Sequence, residues 1–117
     1  MRLTEVTYDN ALPVEGYGPG FFRIDGKVLD GGLLLLPRRT ISWDGYGDRA
    51  SILEAAGEID VLFIGTGEEI AHIPADFRAE LEDGEIGIEL MATPTACRTY
   101  NVLLSEGRRI GAALLPV

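Results

Sequence analysis

The 117-residue sequence has few of the side chains that most often form reactive or metal centres. It contains one cysteine, Cys97, and one histidine, His72. A single cysteine cannot form a disulfide within the chain, and these two residues cannot by themselves supply a zinc site. We therefore expect a protein of a reducing compartment that holds no structural metal and no cofactor.

Long hydrophobic runs are also missing. No uninterrupted apolar run exceeds the four residues of Leu33 to Leu36, whereas a helix that spans a bilayer needs about 20. The first 15 residues carry acids where a signal peptide needs an apolar stretch. We therefore expect a soluble, cytoplasmic protein that does not insert into a membrane.

Basic residues are scarce, with 10 lysines and arginines against 19 acids and a net charge of −9. This balance repels nucleic acid and anionic lipid surfaces, so neither is an expected partner. The acids are concentrated in residues 51–90, which hold eleven acids and one base, Arg78. We interpret this segment as a solvated acidic face, with a docking surface for a basic protein partner as the alternative.

The residues that are present predict one α/β domain covering residues 1–117. Hydrophobic residues make up 46% of the sequence, the six prolines are scattered, and no Pro/Ser-rich linker interrupts the chain. Asp25-Gly26 lies between two apolar segments, which is typical of a tight hairpin. The predicted strands are 3–8, 21–24, 27–29, 33–36, 40–43, 60–64, 86–90 and 109–115, the predicted helices are 48–57, 74–83 and 93–106, and residues 10–20 are predicted to form a loop.

Two successive strand–helix–strand units, over 60–90 and 86–115, predict three parallel strands. With the antiparallel N-terminal hairpin they predict a mixed sheet with helices packed on it. In the last helix, Thr93 is the expected N-cap, and Ala96, Tyr100, Leu103 and Leu104 form one apolar face.

Parallel strands place their carboxyl ends at one edge of the sheet, where α/β proteins usually bind ligands. The Gly65-Thr66-Gly67 loop and the start of helix 93–106 should therefore be neighbours. Glycines allow backbone amides to approach an anion, and a helix N-terminus adds partial positive charge. The candidate ligand-binding residues are Gly65, Thr66, Gly67, Thr93, Cys97, Arg98 and Asn101.

Each candidate also has a structural interpretation. The glycines could form an ordinary tight turn, and Cys97 could be a small buried hydrophobe rather than a nucleophile. Arg98 could pair with an acid of residues 51–90, and Asn101 could cap a neighbouring loop. His72 is most simply a loop residue that bonds nearby backbone. We assign no catalytic residue.

Several motifs resemble a known family of small proteins. They are Phe63-Ile64-Gly65-Thr66-Gly67, the segment from Met91 to Leu103, Glu106-Gly107-Arg108, and the segment from Ala112 to Pro116. The sequence resembles the domain family that includes mitochondrial respiratory complex I assembly factor three and the adipogenesis-associated domain protein. The resemblance covers nearly the whole chain and implies a single domain with a mixed sheet and flanking helices. It also implies an accessory role exercised through protein contacts, and it supplies no reaction or catalytic residues.

Two functional hypotheses follow. The first is a non-enzymatic accessory or interaction protein, linked by the resemblance to respiratory complex assembly. The alternative is a domain that binds a small anion or metabolite at the carboxyl edge of the parallel strands, with enzymatic activity left open. The sequence does not determine the oligomeric state.

Overall fold

The computed structural model describes residues 12–117 and the backbone of residues 5–7. Nine strands and three helices are formed in these segments. The strands are β1 (Glu5–Thr7), β2 (Gly16–Gly18), β3 (Phe21–Ile24), β4 (Lys27–Asp30), β5 (Gly32–Leu36), β6 (Arg39–Trp43), β7 (Val61–Gly65), β8 (Gly87–Met91) and β9 (Ile110–Leu114). The helices are α1 (Ala50–Glu54), α2 (Ala75–Asp83) and α3 (Thr93–Ser105), with a short 3₁₀ turn at Ala56–Glu58.

The strands form two sheets. The larger sheet has six strands in the order β1-β6-β5-β9-β7-β8, and the smaller has the order β2-β3-β4. Strand β7 pairs in parallel with both β8 and β9, while β5 pairs antiparallel with β9. The prediction of an α/β fold with three parallel strands is therefore confirmed, and β9 joins them to the antiparallel strands.

The six-stranded sheet is covered on both faces. Its central strands direct successive apolar side chains to opposite faces, so each face has an apolar surface to bury. Leu33 and Leu35 of β5 belong to one buried cluster with Phe22 and Tyr100, on the side of the small sheet and α3. Leu34 and Leu36 belong to a second cluster on the side of α1 and α2. This double coverage explains the continuous leucine run, which is typical of a strand buried on both faces.

The predicted hairpin is confirmed, but it lies in the smaller sheet rather than in the six-stranded one. Strands β3 and β4 are joined by Asp25 at φ 53° and Gly26 at φ 74°, the positive values that a type I′ turn requires. The third strand of this sheet, β2, falls inside the predicted loop 10–20. Its Gly-Tyr-Gly sequence lacks the alternation that predicts a strand, and it pairs antiparallel with β3, with Tyr17 opposite Phe22. The predicted strand 3–8 is described only over β1, and its remaining residues lie outside the described part of the chain.

The first helix is shorter than predicted and is not capped by Asp48. It covers Ala50–Glu54, and Arg49 occupies the N-cap position without a side-chain cap bond. The Asp48 carboxylate lies 3.5 Å from the Ser51 amide nitrogen, which is too long for effective capping. The chain then changes to the 3₁₀ turn, so the helix ends before Gly57.

Candidate functional site

The three parallel strands end side by side, as the sequence predicts. Gly65 of β7 is in register with Met91 of β8 and with Leu114 of β9. The segments that leave these strands are the Gly65-Thr66-Gly67 loop, the start of α3, and residues 115–117. The expected neighbourhood of the glycine loop and the start of α3 is therefore confirmed.

The Thr93 hydroxyl joins all three segments. Its Oγ1 donates to the Leu115 carbonyl oxygen at 2.7 Å and accepts from the Gly67 amide at 2.9 Å. The Thr93 amide donates to the Gly67 carbonyl oxygen at 2.7 Å. Thr93 is fully buried, so these bonds satisfy a hydroxyl that would otherwise be costly to bury. The predicted N-cap role is wrong, because Ala92 occupies that position and the Thr93 side chain is engaged elsewhere.

Gly65 is required by close packing. A Cβ at this position would lie 2.8 Å from Thr93 Oγ1 and 2.9 Å from Leu114 Cδ2. The Gly65 carbonyl oxygen accepts from the Leu115 amide at 2.9 Å. Gly67 has φ +107°, a conformation that other residues rarely adopt. Gly65, at the end of β7, is therefore constrained by packing, whereas Gly67 is constrained by its backbone conformation.

Thr66 organises the chain that follows the loop. Its amide donates to the Met91 carbonyl oxygen at 2.9 Å. Its hydroxyl donates to the Glu69 carbonyl oxygen at 2.8 Å and accepts from the Ala71 amide at 3.0 Å. The hydroxyl therefore fixes the path of residues 66–71.

Cys97 lies in the core rather than at the edge. The residue is 3% exposed and belongs to the buried cluster beneath α3. Burial raises the pKa of its thiol from 9.0 to about 11, although the nearby Arg98 charge partly opposes this shift. A thiolate is the reactive form of cysteine, so this environment suits the small buried hydrophobe.

Arg98 and Asn101 have different surroundings. Arg98 is exposed, and its Nη2 lies 3.3 Å from the Thr95 hydroxyl. It makes no ion pair with any acid in the described residues. Asn101 accepts from the Val14 amide and donates to the Val14 carbonyl oxygen, both at 2.8 Å. The loop-capping alternative for Asn101 is therefore confirmed.

The structure thus brings Gly65, Gly67 and Thr93 into direct contact, while Cys97 and Asn101 are engaged elsewhere. The amides of Thr66, Gly67 and Thr93 all donate to groups of the chain itself. Binding of an anion by the seven candidate residues stays a prediction. Sequence reasoning missed the Thr93 hydroxyl as a link between segments, because its acceptor, Leu115, is distant in sequence.

A surface depression that the sequence did not predict lies between the end of β8 and the chain that follows β7. It has a volume of about 280 Å³ and is lined by Ile70, Ala71, His72 and Leu90. Ile70 is 66% exposed, which is unusual for a large apolar residue. The only sign of it in the sequence is an apolar residue, Ile70, directly after Glu68 and Glu69 in a segment with no strand or helix pattern.

The described residues also bear on metal binding and on membrane insertion. No group of three or more histidine, cysteine or acidic side chains within residues 12–117 is arranged to hold a metal ion. Among the helices described, none combines the length and the apolar character needed to cross a bilayer.

The chain is similar to proteins of bacteria and animals. It is 50% identical over 117 residues to an uncharacterized protein of Rhodobacter capsulatus, covering all of this chain and 94% of that one. It is 29% identical over 124 residues to rat NADH dehydrogenase (ubiquinone) 1 alpha subcomplex assembly factor 3, covering 99% of this chain and 66% of the rat protein. The chain therefore spans slightly less than two thirds of that rat relative.

A solved structure has the same fold. The crystal structure described as an outer membrane protein from Bartonella henselae superposes with a TM-score of 0.84 at 34% identity, covering 94% of this chain and 98% of that one. A family model described as "Protein of unknown function (DUF498/DUF598)" matches residues 14–115. This match includes every candidate site residue and eight of the nine strands. The chain therefore belongs to the DUF498/DUF598 family.

Proposed function

We propose that this chain is a non-enzymatic assembly factor that acts on NADH dehydrogenase, the respiratory complex I, through protein contacts. The observation that carries the proposal is the similarity to the animal assembly factors, which extends over 99% of this chain for the rat protein. Because the chain matches only part of that protein's length, the role is a proposal for this chain.

The chemistry of the site supports this role over a catalytic one. The polar groups of Thr66, Thr93 and Asn101 bond backbone groups of the same chain. The Cys97 thiol is buried, with a raised pKa. These groups stabilise the fold, and an interaction protein needs such a rigid scaffold to present a surface. We also propose a cytoplasmic location, as the sequence predicts.

Deletion of the gene in the source organism tests the role. Native electrophoresis of its membranes should show a loss of fully assembled NADH dehydrogenase, with a second respiratory complex unchanged as the control. Re-expression of the chain should restore the band. Normal amounts of assembled NADH dehydrogenase in the deletion strain would overturn the proposal.

Affinity capture provides an independent readout. A tagged chain expressed at its native level should enrich NADH dehydrogenase subunits identified by mass spectrometry. A tagged protein of similar size and charge from the same cells serves as the control for nonspecific capture by an acidic surface. Equal recovery of these subunits with both proteins would contradict a specific contact.

A further inference from the structure

Strand β8 forms one end of the six-stranded sheet. It pairs with β7, and no described strand lies along its other edge. The Met91 carbonyl oxygen accepts from Thr66 on the β7 side. In a parallel ladder alternate residues bond to a given neighbour, so Ile88 and Leu90 direct their backbone groups away from β7. The outer edge of β8 therefore offers donors and acceptors for another strand.

The depression described above includes Leu90 of β8 in its lining and so adjoins this strand. Leu90 lines it together with Ile70, Ala71 and His72, and its volume is about 280 Å³. The Ile88 and Leu90 side chains are partly buried against the core on the α2 side of the sheet. An extended segment beside β8 could therefore place one apolar side chain in the depression, because peptides added to a sheet edge use such pockets for specificity.

The surroundings of the edge are acidic. Glu89 is exposed between Ile88 and Leu90, and Glu68 and Glu69 are exposed just before Ile70. Within the described part of the chain, none of these three carboxylates has a cationic partner. A basic partner would therefore be attracted to this edge.

A second copy of this chain is not expected to pair with the outer edge of β8. Antiparallel pairing of two β8 strands over their full length would place Glu89 of one copy opposite Glu89 of the other, and each chain carries a net charge of −9. Like charges on adjacent strands are destabilising. The charge pattern favours a different protein.

We propose that β8 accepts an extended basic segment of a protein partner as an additional strand, with an apolar side chain of that segment in the depression beside Leu90. The proposal rests on the proposed function, because it identifies the surface through which this chain would contact the complex it assembles.

A synthetic peptide tests the edge directly. The probe is an acetylated, amidated heptapeptide in which lysine alternates with valine, and the control replaces each lysine with glutamate. In an NMR titration the lysine peptide should shift the amide signals of Ile88 and Leu90 and slow their hydrogen exchange. The glutamate peptide should leave both unchanged. Shifts that avoid residues 87–91 would overturn the proposal.

Two methylated peptides separate strand pairing from simple charge attraction. Methylation of alternate backbone nitrogens removes the donors on one edge of the peptide only. The peptide methylated on the nitrogens that face β8 should bind at least about tenfold more weakly, which is 1.4 kcal/mol. The peptide methylated on the other nitrogens should bind as the unmethylated peptide does. Equal affinity for both sets would show charge attraction without an added strand and would overturn the proposal.

A charge reversal on the protein gives the complementary test. Glu89→Lys should weaken binding of the lysine peptide at least about tenfold. The matched control is Asp30→Lys, which reverses an exposed acid on β4, an edge strand of the smaller sheet. Denaturation of both variants verifies that they are folded, and unchanged peptide affinity in folded Glu89→Lys would overturn the proposal.

The two proposals fail separately. If the wild-type chain captures NADH dehydrogenase subunits and Glu89→Lys captures them equally well, the edge is not the contact and the assembly role stands. If the wild-type chain captures none of them but the lysine peptide pairs with β8, the assembly role fails and the edge remains a binding surface for a different basic protein.

Discussion

At the scale of single residues, the hydroxyl of Thr93 has the most consequential position. It connects the end of β7, the start of α3 and the residues after β9 from a fully buried site. Removing it leaves the Gly67 amide and the Leu115 carbonyl oxygen without this partner. The cost of losing a buried partner exceeds the net value of an ordinary hydrogen bond.

The first prediction follows from this arrangement. Thr93→Val, which keeps the side-chain shape, should lower the free energy of unfolding by about 1–3 kcal/mol. Thr93→Ser is the control, because it keeps the oxygen and loses one methyl group. Urea denaturation of the three proteins measures the difference. A valine variant as stable as the wild type would contradict the described role of the hydroxyl.

The second prediction concerns Cys97 and alkaline pH. Burial raises the pKa of its thiol from 9.0 to about 11, so the folded state favours the protonated form. The corresponding stability is complete below pH 9 and is lost as the pH rises towards 11. The expected loss is about 3 kcal/mol for a shift of this size.

The measurement is the free energy of unfolding at several pH values between 8 and 11. Cys97→Ala should show a flatter decline than the wild type over this range, whatever its stability at pH 8. Tyr100, whose pKa burial also raises, is present in both proteins and does not affect the comparison. Parallel curves would show that the thiol does not titrate as described.

The roles of single residues were predictable where they follow from the residue type and its place in an element, without knowledge of a distant partner. The sequence anticipated a buried Cys97 and a loop-capping Asn101 as alternatives, since a lone cysteine beside an apolar face and a helix amide have few other uses. It could not identify Val14 as the partner of Asn101, because the two residues are 87 positions apart. The same distance in sequence concealed the link from Thr93 to Leu115.

At the scale of elements, α3 shows how well hydrophobic periodicity predicts which side chains of a helix are buried. Ala96 and Tyr100 of the predicted apolar face are fully buried, whereas Leu103 and Leu104 are only partly buried. Leu103 and Leu104 pack against the same cluster from its margin, and the neighbouring Val102 is 57% exposed. Hydrophobic periodicity identifies the inner face but not where its covering ends.

The third prediction compares two leucines at different depths. Leu62 is fully buried in β7, and Leu62→Ala should cost about 2–5 kcal/mol. Leu104→Ala should cost only about 1–2 kcal/mol, because its site is partly solvated before the change. Chemical denaturation of both variants provides the comparison, and equal losses would contradict the different burial of the two side chains.

Strands were predictable where apolar runs were strong and bounded by turns. Strands β5, β7, β8 and β9 lie within one residue of their predicted bounds. Strand β2 was missed because its glycines carry no side-chain pattern, and it exists through pairing with β3. The hairpin was found from Asp25-Gly26, but its separation into another sheet depends on packing that no local pattern encodes.

At the scale of the whole molecule, charge is distributed unevenly. Several acids of residues 51–90 are already neutralised by arginines: Glu58 by Arg39, and Asp76 and Glu80 by Arg49. Glu68, Glu69 and Glu89 are exposed without such partners in the described residues. The unpaired acids of residues 51–90 therefore include one on β8, Glu89, and two in the loop before Ile70.

The fourth prediction tests this distribution. Reversing both Glu68 and Glu69 to lysine should reduce capture of NADH dehydrogenase subunits several-fold at low salt, since complementary charge accelerates association. Added salt should reduce capture by the wild type towards that of the variant. Urea denaturation should show that the variant remains folded, and unchanged capture at low salt would assign these acids to solvated surface alone.

The placement of β9 has a consequence for how the chain acquires its fold during synthesis. This strand lies between β5 and β7, yet it follows every other strand of the sheet in chain order. A nascent chain that has not yet released residues 110–114 from the ribosome can form the antiparallel hairpins and a β7–β8 pair, but it cannot unite them. Both halves would expose apolar faces and open edges until that moment, so a stalled chain ending before Ile110 should stay sensitive to protease and be a substrate for chaperones.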